Sequence, residues 1–238
     1  MSTSKWISTV NMIVDLMESE VIVTGRLVDA SNATLYGHLK SDEGLKVIYK
    51  PIAGERPLWD FPNGNLASRE VAAFKFSEIF AFDLVPPTVM RDGPYGKGMV
   101  QLWRNDAQPS NLIEVGQSDH PSLRKLAFFD CLINNADRKY GHLLILDDGR
   151  IQGCDHGVCF HTEDKLRSVL WQFAGESFNE EEINVLGSVI GHDLEKDFSE
   201  FLQIDEIDAI RQRAVRLFSK RIFPLPATDR PAIPWPPV

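Results

Sequence analysis

Asp137 and Asp155 stand at the two ends of a stretch that has to double back on itself. Between them run the apolar Leu143-Leu144-Ile145-Leu146, a turn at Asp147-Asp148-Gly149-Arg150 and a return through Ile151-Gln152-Gly153. An apolar strand, a glycine-bearing turn and a second short strand read as a β-hairpin. A hairpin brings its ends together, so the two carboxylates are expected to face one small volume. The flanks, Asn134 to His142 and Cys154 to Gly157, are dense in groups that ionise, bind metals or donate to anions. Phosphoryl transfer needs such a pair, one carboxylate to orient an attacking hydroxyl and one to hold a metal on the phosphates.

Charge narrows the partners. With 34 acidic against 25 basic residues, the net charge of −9 argues against broad binding to nucleic acid or to an anionic membrane. The three cysteines show no paired framework, which favours a reducing compartment. Cys154 and Cys159 with His156 and His161 form a C-x4-C arrangement that lacks the second pair expected of a structural metal site. Asp15 and Glu18 interrupt the apolar stretch nearest the start, and no segment approaches the ~20 apolar residues of a membrane span. A cytoplasmic protein is expected.

Taken in order, Trp6, Val10, Ile13, Val14 and Met17 recur at helical spacing and predict a helix over 5–18. Strands follow at 21–28, 35–39 and 45–51, with a tip of small residues, Ser31-Asn32-Ala33, between the first two. Such a tip lets backbone N–H groups approach phosphates, although it is neither G-x-G-x-x-G nor a P-loop. Lys46 and Lys50 share a strand face. A helix over 66–80 puts Glu70 at the border of an apolar stripe, where it either faces solvent or pairs inward with Lys50. A hairpin over 85–103 and a polar, loop-like 104–117 come next. A helix from Pro121 then delivers the chain to Asp137, with Asp130 on its apolar face. Residues 166–173 read as a helix or an ordered loop. Helices are expected from Asn179, with its run Glu180-Glu181-Glu182, and over 193–202 and 205–221. The proline-rich tail from Pro224 cannot be helical and is expected to be extended. The expected units are a β-rich lobe over 1–103, a helical lobe over 104–223 and the tail over 224–238.

A β-rich half with one helix, a hinge and a helical half resembles the protein-kinase-like superfamily, in its atypical branch. The closest points are Asn-Ala-Asp-Arg-Lys at 135–139 and Asp-His-Gly at 155–157. That branch includes phosphatidylinositol 3- and 4-kinases, HipA-type bacterial kinases and secretory-pathway casein kinases. Over roughly 20–220 the chain looks like a bacterial, actinobacterial-type phosphatidylinositol 3/4-kinase-like family. The resemblance implies an α+β bilobal fold and an ATP-dependent kinase using Mg2+ or Mn2+. It places Ser31 and Asn32 over the phosphates. Lys50 is placed on the α/β-phosphates, steadied by Glu70. Gln101, Leu102 and Trp103 become the hinge that reads adenine, chiefly through backbone groups. Asp137 is assigned to the acceptor hydroxyl, Lys139 to the γ-phosphate, and Asp155 and His142 to the metal positions. The residues agree on their own terms, because a lysine, a metal-binding acid and an orienting acid form a minimal set for this chemistry.

His142 stands where that superfamily keeps an asparagine, and imidazole suits softer ions better than magnesium. Three readings stay open: one ion suffices, manganese is preferred, or His142 stands behind the true ligands. The acceptor is expected to be a protein or small molecule rather than a lipid, since nothing supplies a cationic membrane face. A nucleotide-binding pseudokinase acting as scaffold or regulator is the alternative. A metal-dependent hydrolase built on His142, Asp155, His156 and His161 is the third reading.

Overall fold

The computed structural model describes residues 3–27, 32–104 and 111–238. Helix α1 (Thr3–Glu18) leads into strands β1 (Val21–Arg26), β2 (Leu35–Leu39) and β3 (Asp42–Pro51). Helix α2 (Leu66–Ile79) follows, then β4 (Thr88–Gly93) and β5 (Gly96–Leu102). The five strands form one sheet in the order β1-β2-β3-β5-β4, each pair antiparallel. Strand alternation gives the sheet two dry faces. Val47, Tyr49, Val89 and Val100 meet Leu16 of α1 on one side. Ile48 and Met99 meet Ala67 and Val71 of α2 on the other.

Leu16 is fully buried in that outer layer, so Leu16→Ala leaves a hole the rigid sheet cannot close. A loss of about 2–5 kcal/mol is expected. Urea denaturation checks it, with a lowered midpoint and an unchanged slope.

Helix α2 is capped by Asn65, whose side chain accepts the Ser68 N–H. Ten of its residues are buried, from Ala67 to Ser77, on every side of the helix. A helix buried all round lies between two cores. Its second face joins Phe76 to Phe82, Phe129, Phe160 and Phe198 in the main core of the helical half.

That half comprises α3 (Leu112–Gly116), α4 (Pro121–Ile133), the hairpin β6 (Leu143–Ile145) and β7 (Ile151–Gly153), α5 (Glu180–Gly191), α6 (Leu194–Phe198) and α7 (Ile204–Lys220). The expected α4 and the hairpin are present. The α3 turn corrects the loop-like reading of 104–117: Asn111 caps it by accepting the Glu114 N–H. The helix expected over 193–202 is shorter and ends at Phe198. Residues 166–173 form an ordered segment with one short 3-10 turn at Trp171–Phe173. The tail lies on this half. The carbonyl of Ala232 accepts the Ser168 N–H at 3.0 Å, and that of Pro237 accepts the Tyr140 N–H at 2.9 Å. No helix among the described residues is long and apolar enough to cross a membrane.

Candidate active site

The loop after α4 begins with Asn134 in the left-handed region (φ 55°), which turns the chain back toward the sheet. Asn135 then clamps the loop. Its Nδ2 donates to Asp130 at 3.0 Å and its Oδ1 accepts the Asp137 N–H at 2.9 Å. Arg138, fully buried, ties three elements together. Its Nε and Nη2 take both oxygens of Asp130 on α4, at 2.9 and 3.0 Å. Its Nη1 donates to the Cys154 carbonyl at 2.9 Å, and Nη2 lies 2.7 Å from His156 Nε2. Gly153 keeps that space open, since a Cβ there would stand 3.0 Å from Arg138 Nη1. Arginine can only donate, so His156 accepts. Burial and the adjacent guanidinium hold its imidazole well below the usual range, hence neutral.

From the sheet side, β3 carries Lys50 into the cleft. Its Nζ bonds Glu70 Oε1 at 2.6 Å and Asp155 Oδ1 at 3.0 Å. Burial disfavours the ammonium, but the charges of Asp155 and Glu70 outweigh it and keep Lys50 protonated. The Lys50 charge in turn holds Asp155 far below the usual carboxylate range, although half of its side chain faces the open cleft. Glu70 is 1% exposed, and its other oxygen accepts the His156 N–H at 2.8 Å. Asp155 sits at φ 58°, a conformation that aspartate tolerates better than most residues and that turns its carboxylate toward the lysine.

Asp137 lines the same cavity of about 290 Å3 as Lys50, Glu70, Asp155 and Asn32. Burial raises its carboxyl, against the pull of Lys139, whose Nζ lies 3.3 Å from Asp137 Oδ2. His142 Nε2 lies 3.6 Å from Asp155 Oδ2, and burial pushes its imidazole down to about 4, leaving it neutral. A second cavity of about 310 Å3 adjoins the first through Lys50 and Asp155. Gln101, Leu102 and Trp103 line it with Ile48, Leu144 and Thr34.

The predicted site residues within the described parts therefore converge on one cleft; Ser31 lies outside the described residues. At the expected hinge, two backbone amides are already engaged. The Leu102 N–H is taken by the Pro87 carbonyl at 2.9 Å, and the Trp103 N–H by Lys46 at 2.8 Å. Pro87 has no amide hydrogen to return the bond, so the Leu102 carbonyl lacks its reciprocal donor. Gln101 spends its side-chain amide on Thr88 Oγ1 at 2.8 Å.

The hydrolase constellation does not assemble. His156 is committed to Arg138, and the His161 Nδ1 accepts the Glu163 N–H at 2.9 Å. Among the described residues no three or more His, Cys, Asp or Glu gather as a metal cage. What remains is one ionised carboxylate and one neutral imidazole side by side. That donor set fits a divalent ion taking its other ligands from phosphate and water.

No sequence-family profile matches the chain. Protein Rv2133c of Mycobacterium tuberculosis (strain ATCC 25618 / H37Rv) is 38% identical over an alignment of 262 residues that spans 93% of each chain. The chain belongs to the family of Rv2133c. A phosphatidylinositol 4-kinase gamma 4 of rice (Oryza sativa subsp. japonica) is 28% identical over 160 residues, 57% of this chain and 27% of that protein. Among solved structures, hydra Fam20 with sugar superposes with a TM-score of 0.64 at 14% identity, covering 90% of this chain and 89% of that one. The Golgi casein kinase with Mn/ADP bound gives 0.60 at 14% identity, covering 92% and 76%. This member of the Rv2133c family thus has an atypical protein-kinase-like bilobal fold, with an antiparallel sheet in the first half and helices in the second.

The structural roles of Arg138, Asp130 and Asn135 are not evident from the sequence pattern around Asp137. One signal was there, because an acid on the apolar face of α4 needs a buried cation.

Proposed function

We propose that the chain is an ATP-dependent phosphotransferase that moves the γ-phosphoryl group to a hydroxyl acceptor, a protein or small molecule rather than a lipid. The observation that carries this reading is Lys50, bonded at once to Glu70 and Asp155 in the cleft that Asp137 lines. The finer placement, in a bacterial phosphatidylinositol 3/4-kinase-like family, is supported by the likeness to the rice kinase. We place the sheet lobe at 1–103, the helical lobe at 104–223 and the tail at 224–238.

The cavity lined by Ile48, Leu144, Leu102 and Trp103 takes the base, and the Leu102 carbonyl is free to accept from it. Lys50, charged and held by Glu70, neutralises the α/β-phosphates, and the reaction would use one divalent ion. Asp155 and His142 would hold that ion, which when bound offsets charge on the phosphate oxygens. Asp137, raised by its partial burial, accepts the acceptor's proton. The acceptor oxygen forms its bond to the γ-phosphorus as the bond to the β-phosphate oxygen breaks, and ADP leaves with the electron pair. Lys139 stays beside the transferred group.

Radiolabelled ATP with the purified protein tests this. Transfer to the protein itself, or to water, is expected with Mg2+ or Mn2+, and Asp137→Asn is expected to cut it by about a hundredfold or more with nucleotide binding unchanged. Undiminished transfer in the variant overturns the role of Asp137. Binding of ATP without turnover under either ion replaces the enzyme by the scaffold reading.

A further inference from the structure

The cleft carries more positive charge than the nucleotide reading uses. Arg167 lies directly beside Asp137. Its N–H donates to the Asn135 carbonyl at 3.0 Å, and its carbonyl accepts the Arg138 N–H at 3.1 Å. These two bonds straddle Asp137, and the neighbouring parallel bridge joins Arg138 to Ser168. Paired positions on adjacent extended segments send their side chains to the same side, and both Asp137 and Arg167 line the 290 Å3 cavity. From the other wall comes Arg56, whose N–H is fixed by Asn32 Oδ1 at 2.9 Å.

An inventory of the cavity's charges shows what these two arginines are not doing. Lys50 is matched by Glu70 and Asp155, and Lys139 by Asp137. Lys165 lies 3.6 Å from Asp60, and Glu55 accepts the N–H groups of Leu66 and Ala67 at the start of α2. Among the described residues no carboxylate lies within ion-pair distance of Arg56 or Arg167; Asp137 feels the Arg167 charge but is held by Lys139, in a chain whose net charge is −9. The Arg167 Nε is buried with no hydrogen-bond partner. A desolvated donor without an acceptor costs free energy unless a ligand completes it. A guanidinium fork completes on an oxyanion, and two of them suit a phosphate dianion.

We propose that the acceptor is a phosphate-bearing alcohol, whose phosphate Arg167 grips with help from Arg56 while its hydroxyl meets Asp137. This rests on the phosphotransferase reading, in which Lys50 already serves the nucleotide's phosphates and the second anion site serves the second substrate.

The test titrates inorganic phosphate, glycerol 3-phosphate and phosphatidic acid vesicles into the full chain saturated with ADP and Mn2+, by calorimetry. Inorganic phosphate and glycerol 3-phosphate are expected to bind, about tenfold or more weakly to Arg167→Gln, less weakened in Arg167→Lys, and unchanged in the exposed control Lys97→Gln. Equal binding to wild type and Arg167→Gln, or no binding to wild type at up to about 50 mM, overturns the proposal. Should Arg167→Gln fail to keep its fold by circular dichroism, Arg167→Lys and Arg56→Gln decide in its place. Binding of vesicles alone moves the phosphate from a soluble acceptor to a lipid headgroup. ADP binding is read separately, so its absence sinks the nucleotide reading and leaves the anion site to stand or fall on phosphate.

Discussion

Lys50→Met and Asp155→Asn are each expected to lower phosphoryl transfer by about a thousandfold or more. Charge placement supplies most of the catalysis in this chemistry, and in the proposed mechanism these residues are the cation and the anion that provide it. They neutralise each other at 3.0 Å, and in the proposed mechanism nucleotide and ion would exchange that pair for two new ones. Each single substitution leaves the other residue with the wrong partner. Asp155→Asn leaves Lys50 on Glu70 alone, while Lys50→Met leaves Glu70, 1% exposed, without its cation. Because the two act as a unit, the double variant is expected to be little worse than either single one. Single-turnover transfer of radiolabel, measured beside ADP affinity, checks this. A Lys50→Met protein that keeps a tenth of the wild-type rate removes the lysine from the mechanism.

Asp130→Ala is expected to cost about 3–5 kcal/mol of stability, because it strands a buried cation. Arg138 and Asp130 are both fully buried, and the carboxylate uses both oxygens on the guanidinium. Its remaining hydrogen-bond partners among the described residues are the Cys154 carbonyl and the neutral His156 ring. The substitution also frees Asn135 from Asp130, so the Asp137 N–H loses its fixed acceptor and transfer falls with stability. Urea denaturation separates the cases: Asp130→Asn, which keeps a hydrogen-bonding oxygen, is expected to fall between wild type and alanine. A midpoint unmoved in Asp130→Ala would show the guanidinium to be solvated after all.

Much of the cleft was legible in sequence because its chemistry is carried by residue types with few other uses in those places. Two acids flanking a hairpin point to one volume, while a lysine ending an apolar strand and a glutamate at the edge of an apolar helix stripe leave solvent and an inward pair open; the folded chain brings all four together. The hairpin is readable from its apolar strand and the Asp-Gly turn, and α4 from Pro121 and its apolar face. Arg138 was not legible, because an arginine next to an acid looks solvated until α4 is seen to present Asp130 to it. The use of the Leu102 and Trp103 amides was hidden as well. It depends on register with Pro87 and Lys46, which no local pattern reveals. The α3 turn escaped because a five-residue helix in a polar stretch has too little periodicity to register.

One consequence follows from α2. Arg69 donates to the Cys159 carbonyl at 2.7 Å and pairs with Glu206 of α7, while the next residue, Glu70, holds both Lys50 and the His156 N–H. Two successive residues of one helix are thus bonded to the same 156–159 segment, one reaching on to α7 and the other to β3, so rolling or withdrawing the helix would break both sets of bonds together. On and off states made by swinging that helix are thereby closed to the proposed phosphotransferase. Control over it has to come from what occupies the cleft.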